Sequence, residues 1–466
     1  MKNCIVVGGG LCGLFSAIIL ADKFENVTLI ETNENCGGLL RSVSDDAGVS
    51  YDQGTHIPNT TMIPEIDNIL FGLEHEREKS WNNLGHLKTA NYFAGHWDLN
   101  TQVVDTRKLP EHTYQQGIVE LLSLTAPSDA SDIYQYLINT IGPTFTKEIA
   151  EPLCKKIYGD DIDLSTLMTN SSVNYFGLSR VLALTPEVTA KLKELPAFDA
   201  KLSYHTQQDY IDRVQRDNTQ ECTYYYPKNG QGVQFWIDHL IKQAKAKGVT
   251  FLTQESVSKI THHNNAITHV TLKNSQQELA CDFLYWSAPP VMALFAADIT
   301  PYKNPSNEKI AFKTANIFHF TFDKPLQNTQ SHYIWNWDLS AKSFRVTLLP
   351  NLRTDIIDDQ LYNLSIEALS TPEESENITA AMMLDELKAM GLISQQSKVL
   401  SSLRQTIHNT FPIPTFAFHQ STTENYNKLN NSFNNIMISG RFSGKQWFHG
   451  DVIKASYHAI NERFST

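Results

Sequence analysis

The first thirty-one residues restrict the fold of this chain more than any other stretch. Cys4-Ile5-Val6-Val7 is an apolar run that enters Gly8-Gly9-Gly10-Leu11-Cys12-Gly13 and then Leu14 to Ala21, apolar at helical spacing. The pattern reads as strand, tight glycine turn and helix. In such a unit Gly8 permits the turn, Gly10 lets the backbone approach a pyrophosphate, and Gly13 lets helix and strand pack closely, while the helix N-terminus faces the phosphates. The next expected strand, Val27 to Glu31, ends in a carboxylate. It sits at about the spacing, roughly 20 residues into the unit, at which an acid accepts ribose hydroxyls and repels a 2′-phosphate. A dinucleotide site is expected, with Leu11 and Cys12 carried inside its turn.

Cys36-Gly37-Gly38-Leu39-Leu40-Arg41 follows, a second glycine pair with a cation, and then Tyr51-Asp52-Gln53-Gly54-Thr55-His56. Bare backbone at Gly38 and the guanidinium of Arg41 suit a second phosphate approach. At Gly54 glycine again removes a side chain, and His56 could lie against a ring; the plain alternative for His56 is a core histidine. The series GxGxxG, acid, GG with Arg, and DxGxH resembles the N-terminal segment of the superfamily of FAD-dependent amine oxidases, protoporphyrinogen oxidases and UDP-galactopyranose mutases. The resemblance implies FAD as the dinucleotide, with Leu39, Gly54 and His56 near it.

With 466 residues the chain exceeds what one hydrophobic core organises, so two or three intertwined domains are expected. No apolar run approaches the 18 or so residues that cross a bilayer, and a strand pattern at the very start leaves no room for a signal peptide, so a cytoplasmic protein without an integral membrane segment is expected. The net charge of −12 contains no long basic block, which argues against nucleic-acid binding. Six scattered cysteines form neither CxxC nor metal-type spacing, so reduced thiols, no redox dithiol and no metal site are expected.

The expected fold class is α/β: a Rossmann-type, glutathione reductase-like FAD domain from 1–62, 217–300 and 430–466, a helical insertion lobe at 63–216, and an antiparallel-sheet substrate domain at 301–429. Helices are expected at Gln115 to Leu124, Ala130 to Ile141 and Thr185 to Leu195 in the lobe, at Val233 to Lys247, and at Gly450 to Phe464. Strands at Val257 to Thr261, Ala266 to Lys273 and Phe283 to Trp286 resemble the second FAD segment of the superfamily, which implies that backbone near Val257 approaches the adenine. Further strands at Ala315 to Phe322, His332 to Trp337 and Phe344 to Leu349 suggest a sheet roofing the flavin. No second complete glycine fingerprint is present, so a separate nicotinamide domain is not expected and electrons come from substrate, oxygen or an external reductant.

Four stretches resemble UDP-galactopyranose mutases, especially eukaryotic ones: Glu148 to Asp161, Tyr333-Ile334-Trp335 with Phe344-Arg345-Val346-Thr347, Thr410 to Thr415, and Gly440-Arg441-Phe442 through Trp447 to Asp451. By this resemblance Arg345 and Arg441 hold a substrate diphosphate, and Gly440, Arg441, Asp451 and Val452 lie beside the flavin. Guanidinium groups fork onto diphosphates and keep their charge, so the pairing is chemically sound; structural salt bridges are the alternative. The two tyrosines with which that family grips its diphosphate correspond here to Leu352 and Phe411, which carry no hydroxyl. Arg345, Arg441 and His56 are the expected catalytic residues, followed by His449 and Asp451, with a solvent-facing loop position as the alternative for His449. Three readings stay open: a mutase-like enzyme on a nucleotide sugar or related activated glycan precursor, an oxidoreductase acting on a small-molecule substrate, and a flavin fold that only binds partners.

Overall fold

A computed structural model describes residues 2–465 apart from 127, 170–175, 218, 220, 229, 306–309 and 354–360. The opening strand, Asn3–Val7, lies at the centre of a five-stranded parallel sheet in the order Ile436–Ile438, Phe283–Trp286, Asn3–Val7, Asn26–Ile30, Thr250–Leu252. These strands are short and apolar because both faces of the sheet are covered. On one face Val6, Leu29, Phe283 and Tyr285 pack with helices Leu11–Leu20, Gln234–Ala246 and His449–Arg463 through Leu14, Ile18, Trp236, Leu240, Ile453 and Ile460. On the other, Ile5, Val7, Ile30, Leu284 and Trp286 meet Ile260, Ile267 and Val270 of an antiparallel sheet made of Val257–His263, Ala266–Leu272 and Glu278–Ala280.

A seven-stranded sheet stands beside this unit, in the order Val399–Pro412, Phe312–Phe322, Tyr362–Ser370, Ser343–Leu348, Tyr333–Asn336, Thr89–Phe93, His96–Asp98. Strands alternate side chains between faces, and here the two faces differ sharply. Phe318, Phe320, Val346, Leu348, Leu364 and Ile366 form an apolar face closed by Met383 and Leu387 of helix Ala380–Ala389. The opposite face carries His319 opposite Ser365, Ser365 opposite Thr347, and Glu367 opposite Arg345. That polar face is buried, because residues 41–56 of the dinucleotide unit lie across it.

Two features differ from the expectation of a helical segment over 63–216. Thr89–Phe93 and His96–Asp98 are strands of the large sheet, and the pairing of Thr89–Phe93 with Tyr333–Asn336 is parallel, so the roofing sheet is not wholly antiparallel. Trp81–Gly85 is also a strand, paired with Tyr224–Pro227. The remainder includes helices Glu111–Ser123, Ile133–Ile141, Glu151–Tyr158, Pro186–Leu192, Pro196–Lys201 and Gln207–Arg216. Thr185 caps the helix it opens, accepting from the Val188 amide, and the helix stops before Leu195 because the following Pro196 disfavours helical backbone at the residue before it.

Candidate active site

The glycine turn is built as its residue types demand. A Cβ at Gly13 would run into the carbonyl oxygen of Gly8, so only glycine lets the helix lie this close to the opening strand, whereas a Cβ at Gly10 would meet nothing within 4 Å. The open side of Gly10 leaves room for a pyrophosphate. Cys12 turns away from it, toward the hydroxyls of Tyr285 at 3.2 Å and Ser439 and Ser456 at 3.5 Å, and Leu11 is buried in the core behind the turn.

Glu31 is buried at the end of its strand. One carboxylate oxygen accepts the Gly9 amide at 2.7 Å; the other accepts the backbone and side-chain amides of Asn33 at 2.8 and 2.7 Å. An ionised carboxylate has about four acceptor positions, so capacity remains for a ribose hydroxyl. The Glu255 amide donates to the Glu31 carbonyl at 2.9 Å and the Gln254 amide to that of Asn33 at 3.0 Å, which brings the strand beginning at Val257 beside the acid. Arg41 folds back on its loop, with Nε donating to the Gly38 carbonyl at 3.1 Å. With Gly38, Leu39 and Gln53 it walls a cavity of about 470 Å³, closed on the far side by Gln405 to His408 of the sheet's edge strand.

Deeper in, the seam between the two units gathers Arg345, Glu367, Arg441 and His449 within electrostatic reach of His56. Gly54 makes the approach possible: its φ is +101°, and a Cβ there would sit 3.0 Å from a Glu367 carboxylate oxygen. Arg345 is 4% exposed and Glu367 2%; Nε and Nη2 of the guanidinium fork onto the carboxylate at 2.8 and 2.7 Å. Glu367 also accepts the Thr55 amide at 3.2 Å and its hydroxyl at 3.0 Å, while Thr55 and Thr347 share a short hydroxyl contact. Burial raises the affinity of Glu367 for a proton, but Arg345 and Thr55 more than offset this and hold its carboxyl below the usual carboxylate range. At Arg345 the structure holds the salt bridge given above as the alternative, its charge balanced by a carboxylate from the next strand.

Arg441 lies flat on Trp447, its guanidinium carbon 3.5 Å from the ring centroid, and 5.9 Å from the ring of Phe411. Gly440 backs onto the Ser287 carbonyl at the end of the sheet. The C-terminal helix starts at His449 with no side-chain cap, so its first-turn amides face the seam. His449 Nε2 is buried and has no hydrogen-bond partner among the described residues. Val452 is buried below it, but Asp451 is exposed and pairs with Lys454 at 3.2 Å, so its side chain is turned to solvent and not to the seam.

Both histidines are neutral near pH 7. Burial pushes His56 down to about 4, reinforced by Arg345 and opposed by Glu367, and burial likewise pushes His449 down to about 4, opposed by Asp451. Of the positions that lack tyrosine, Leu352 is buried apolar core and Phe411 packs with Phe344 and Phe176. Among the described residues no cluster of three His, Cys, Asp or Glu side chains could hold a metal ion, and all six cysteines are free thiols. Glu367, Thr55 and Thr347 were not singled out by sequence. The available signal was the alternation Asn363-Leu364-Ser365-Ile366-Glu367-Ala368, a strand with one polar face.

A glycine turn open at Gly10, an acid at the end of the second strand, an uncapped helix and an orphaned buried imidazole nitrogen together fit a flavin dinucleotide. The chain belongs to the family of flavin-containing amine oxidoreductases, whose pattern matches residues 11–455. It is a mixed α/β flavoenzyme whose cofactor is FAD. A 1-hydroxycarotenoid 3,4-desaturase from a Flavobacterium species is 22% identical over 342 residues, 72% of this chain and 66% of that protein, so the chain spans just under two thirds of that relative's length. Among solved structures, reduced UDP-galactopyranose mutase superposes with a TM-score of 0.72 at 16% identity, covering 99% of this chain and 96% of the other. A protoporphyrinogen oxidase candidate from Exiguobacterium gives 0.67 at 15% identity, covering 99% and 98%. At such identities both establish a shared fold. No helix among the described residues is long and apolar enough to cross a membrane.

Proposed function

We propose that this flavoenzyme is an oxidoreductase that takes two electrons from a neutral small molecule, in preference to a mutase that displaces a nucleoside diphosphate. The observation that carries the reading is the buried Arg345–Glu367 fork. Placing a diphosphate against Arg345 would bring it against the Glu367 carboxylate too, and such repulsion is large where water is excluded. Leu352 and Phe411 add no hydroxyl in compensation. When bound, FAD supplies the two-electron acceptor.

The chain's own contribution is orientation. His56 Nε2 lies 3.1 Å from the Gln53 carbonyl, which only accepts, so Nε2 carries the proton and the lone pair is on Nδ1. A neutral imidazole held in one tautomer offers Nδ1 as a hydrogen-bond acceptor that orients a substrate hydroxyl or amine without taking up charge. Glu367 fixes Arg345 and Thr55 together, and Arg345 in turn disfavours a charged His56.

Anaerobic mixing of the FAD-loaded enzyme with a panel of alcohols, amines and sugars tests this. Bleaching of the flavin band by at least one donor, with reoxidation by oxygen or an external acceptor, is expected. The opposite pattern, no bleaching by any donor but redox-neutral conversion of UDP-galactopyranose by dithionite-reduced enzyme, would establish the mutase chemistry instead.

A further inference from the structure

A second cavity, of about 600 Å³, lies where the strand Thr89–Phe93 and the residues flanking it meet the stretches 203–210 and 221–224. Pockets that enclose small organic ligands measure about 300–1,000 Å³. The cavity adjoins the flavin seam through two wall residues. Tyr333 sits across the strand pair from Thr347, the residue in contact with Thr55, and Gln102 accepts the indole N–H of Trp335 at 3.1 Å, with that indole lying under Arg345. On its other side, the stretch just beyond His56 is tied to the wall segment that holds Tyr224: the Thr60 amide donates to the Thr223 carbonyl at 3.0 Å and the Tyr225 amide to that of Pro58 at 2.9 Å.

The lining discriminates among ligand classes. Four tyrosines, Tyr204, Tyr210, Tyr224 and Tyr333, contribute ring faces with hydroxyl tips, and Tyr204 and Tyr210 form an aromatic corner with ring centroids 5.5 Å apart. Amides and hydroxyls, Gln102 and Gln207 among them, fill most of the rest. The charged wall residues nearly cancel: Lys88 is the one lysine or arginine of the lining and Glu221, bonded by His86 at 3.0 Å, its one carboxylate. A diphosphate would find one exposed ammonium opposed by a carboxylate. A long hydrocarbon would find only Leu87 and Leu99 as aliphatic neighbours and would strip the hydroxyls and amides of water without replacing their hydrogen bonds.

We infer that this chamber binds a neutral, hydroxyl-bearing ring of the saccharide class, its C–H faces against the tyrosines and its hydroxyls on the amides. That the bound saccharide is the electron donor rests on the oxidoreductase reading; that it binds does not.

Saturation-transfer NMR on the FAD-loaded protein, with methyl glucopyranoside, methyl galactopyranoside, N-acetylglucosamine and cellobiose as probes, separates the two. Binding of at least one probe is expected, undisturbed by inorganic pyrophosphate. Tyr224→Phe and Tyr333→Phe keep the rings and should each weaken that binding about five- to tenfold, the effect of one lost hydrogen bond, with FAD content unchanged. Silence from all four probes, displacement by pyrophosphate, or unchanged affinity in both variants would overturn the assignment. A saccharide that binds but never bleaches the flavin would leave the chamber standing and overturn the donor role.

Discussion

Arg345 and Arg441 carry the same side chain, yet the protein uses them differently. Arg345 is enclosed and forked onto Glu367, whereas Arg441 lies on an indole at the seam. Removing one partner of a buried pair leaves an uncompensated charge, so Glu367→Gln should destabilise the fold by about 3–5 kcal/mol, and the double variant Arg345→Met, Glu367→Leu should recover much of it. Urea titration of the three proteins checks both statements. Arg441→Ala forfeits a stacking contact worth about 0.5–1 kcal/mol to stability; with Arg441 as the proposed fixed charge of the site, turnover should fall well beyond what a shift in thermal midpoint explains. Unchanged kinetics would remove Arg441 from the site. Sequence marked both arginines through their motifs and could not show the acid beside one of them, because Glu367 lies 22 residues away on a neighbouring strand.

At the level of elements, the strand–turn–helix at the N-terminus was legible because everything it needs is contiguous. Gly13→Ala would force a Cβ into the Gly8 carbonyl, spread helix from strand and disrupt the pyrophosphate approach. The variant should purify without yellow colour, read as the ratio of flavin to protein absorbance, while Gly391→Ala, which meets no neighbour and costs only the strain of a φ of +70°, should keep full FAD content. The large sheet was legible in part. Its central strands alternate polar and apolar residues plainly, but alternation does not say which face a neighbouring unit will cover. Thr89–Phe93 and His96–Asp98 were not legible because strands of five and three residues carry little pattern, and Thr89–Phe93 joins the sheet through Tyr333–Asn336, more than 200 positions away.

For the whole molecule, burial of neutral imidazoles sets the response to acid. His56, His319, His332 and His449 are each pushed by burial from 6.5 down to about 4. Between those values the unfolded chain binds more protons than the folded one, so stability rises with pH across the window and is lost as pH falls from about 6.5 toward 4. Thermal midpoints at pH 7, 6, 5 and 4.5 should decline progressively. FAD shifts the same equilibrium the other way: at a hundredfold excess over its Kd it adds about 2.7 kcal/mol, so the midpoint should rise with FAD concentration.

The linear order of residues determined the cofactor cradle: Gly8 through Gly13 with Glu31, and the turn at Gly440. In each of these, backbone geometry follows from neighbours along the chain. Tertiary structure decided the balance of charge at Arg345, the burial of His56 and the walls of the tyrosine chamber. Those depend on strand register and on two units closing over one another. A shift of one residue in that register would turn Glu367 to the opposite face of its strand, and nothing in the order of amino acids states the register directly.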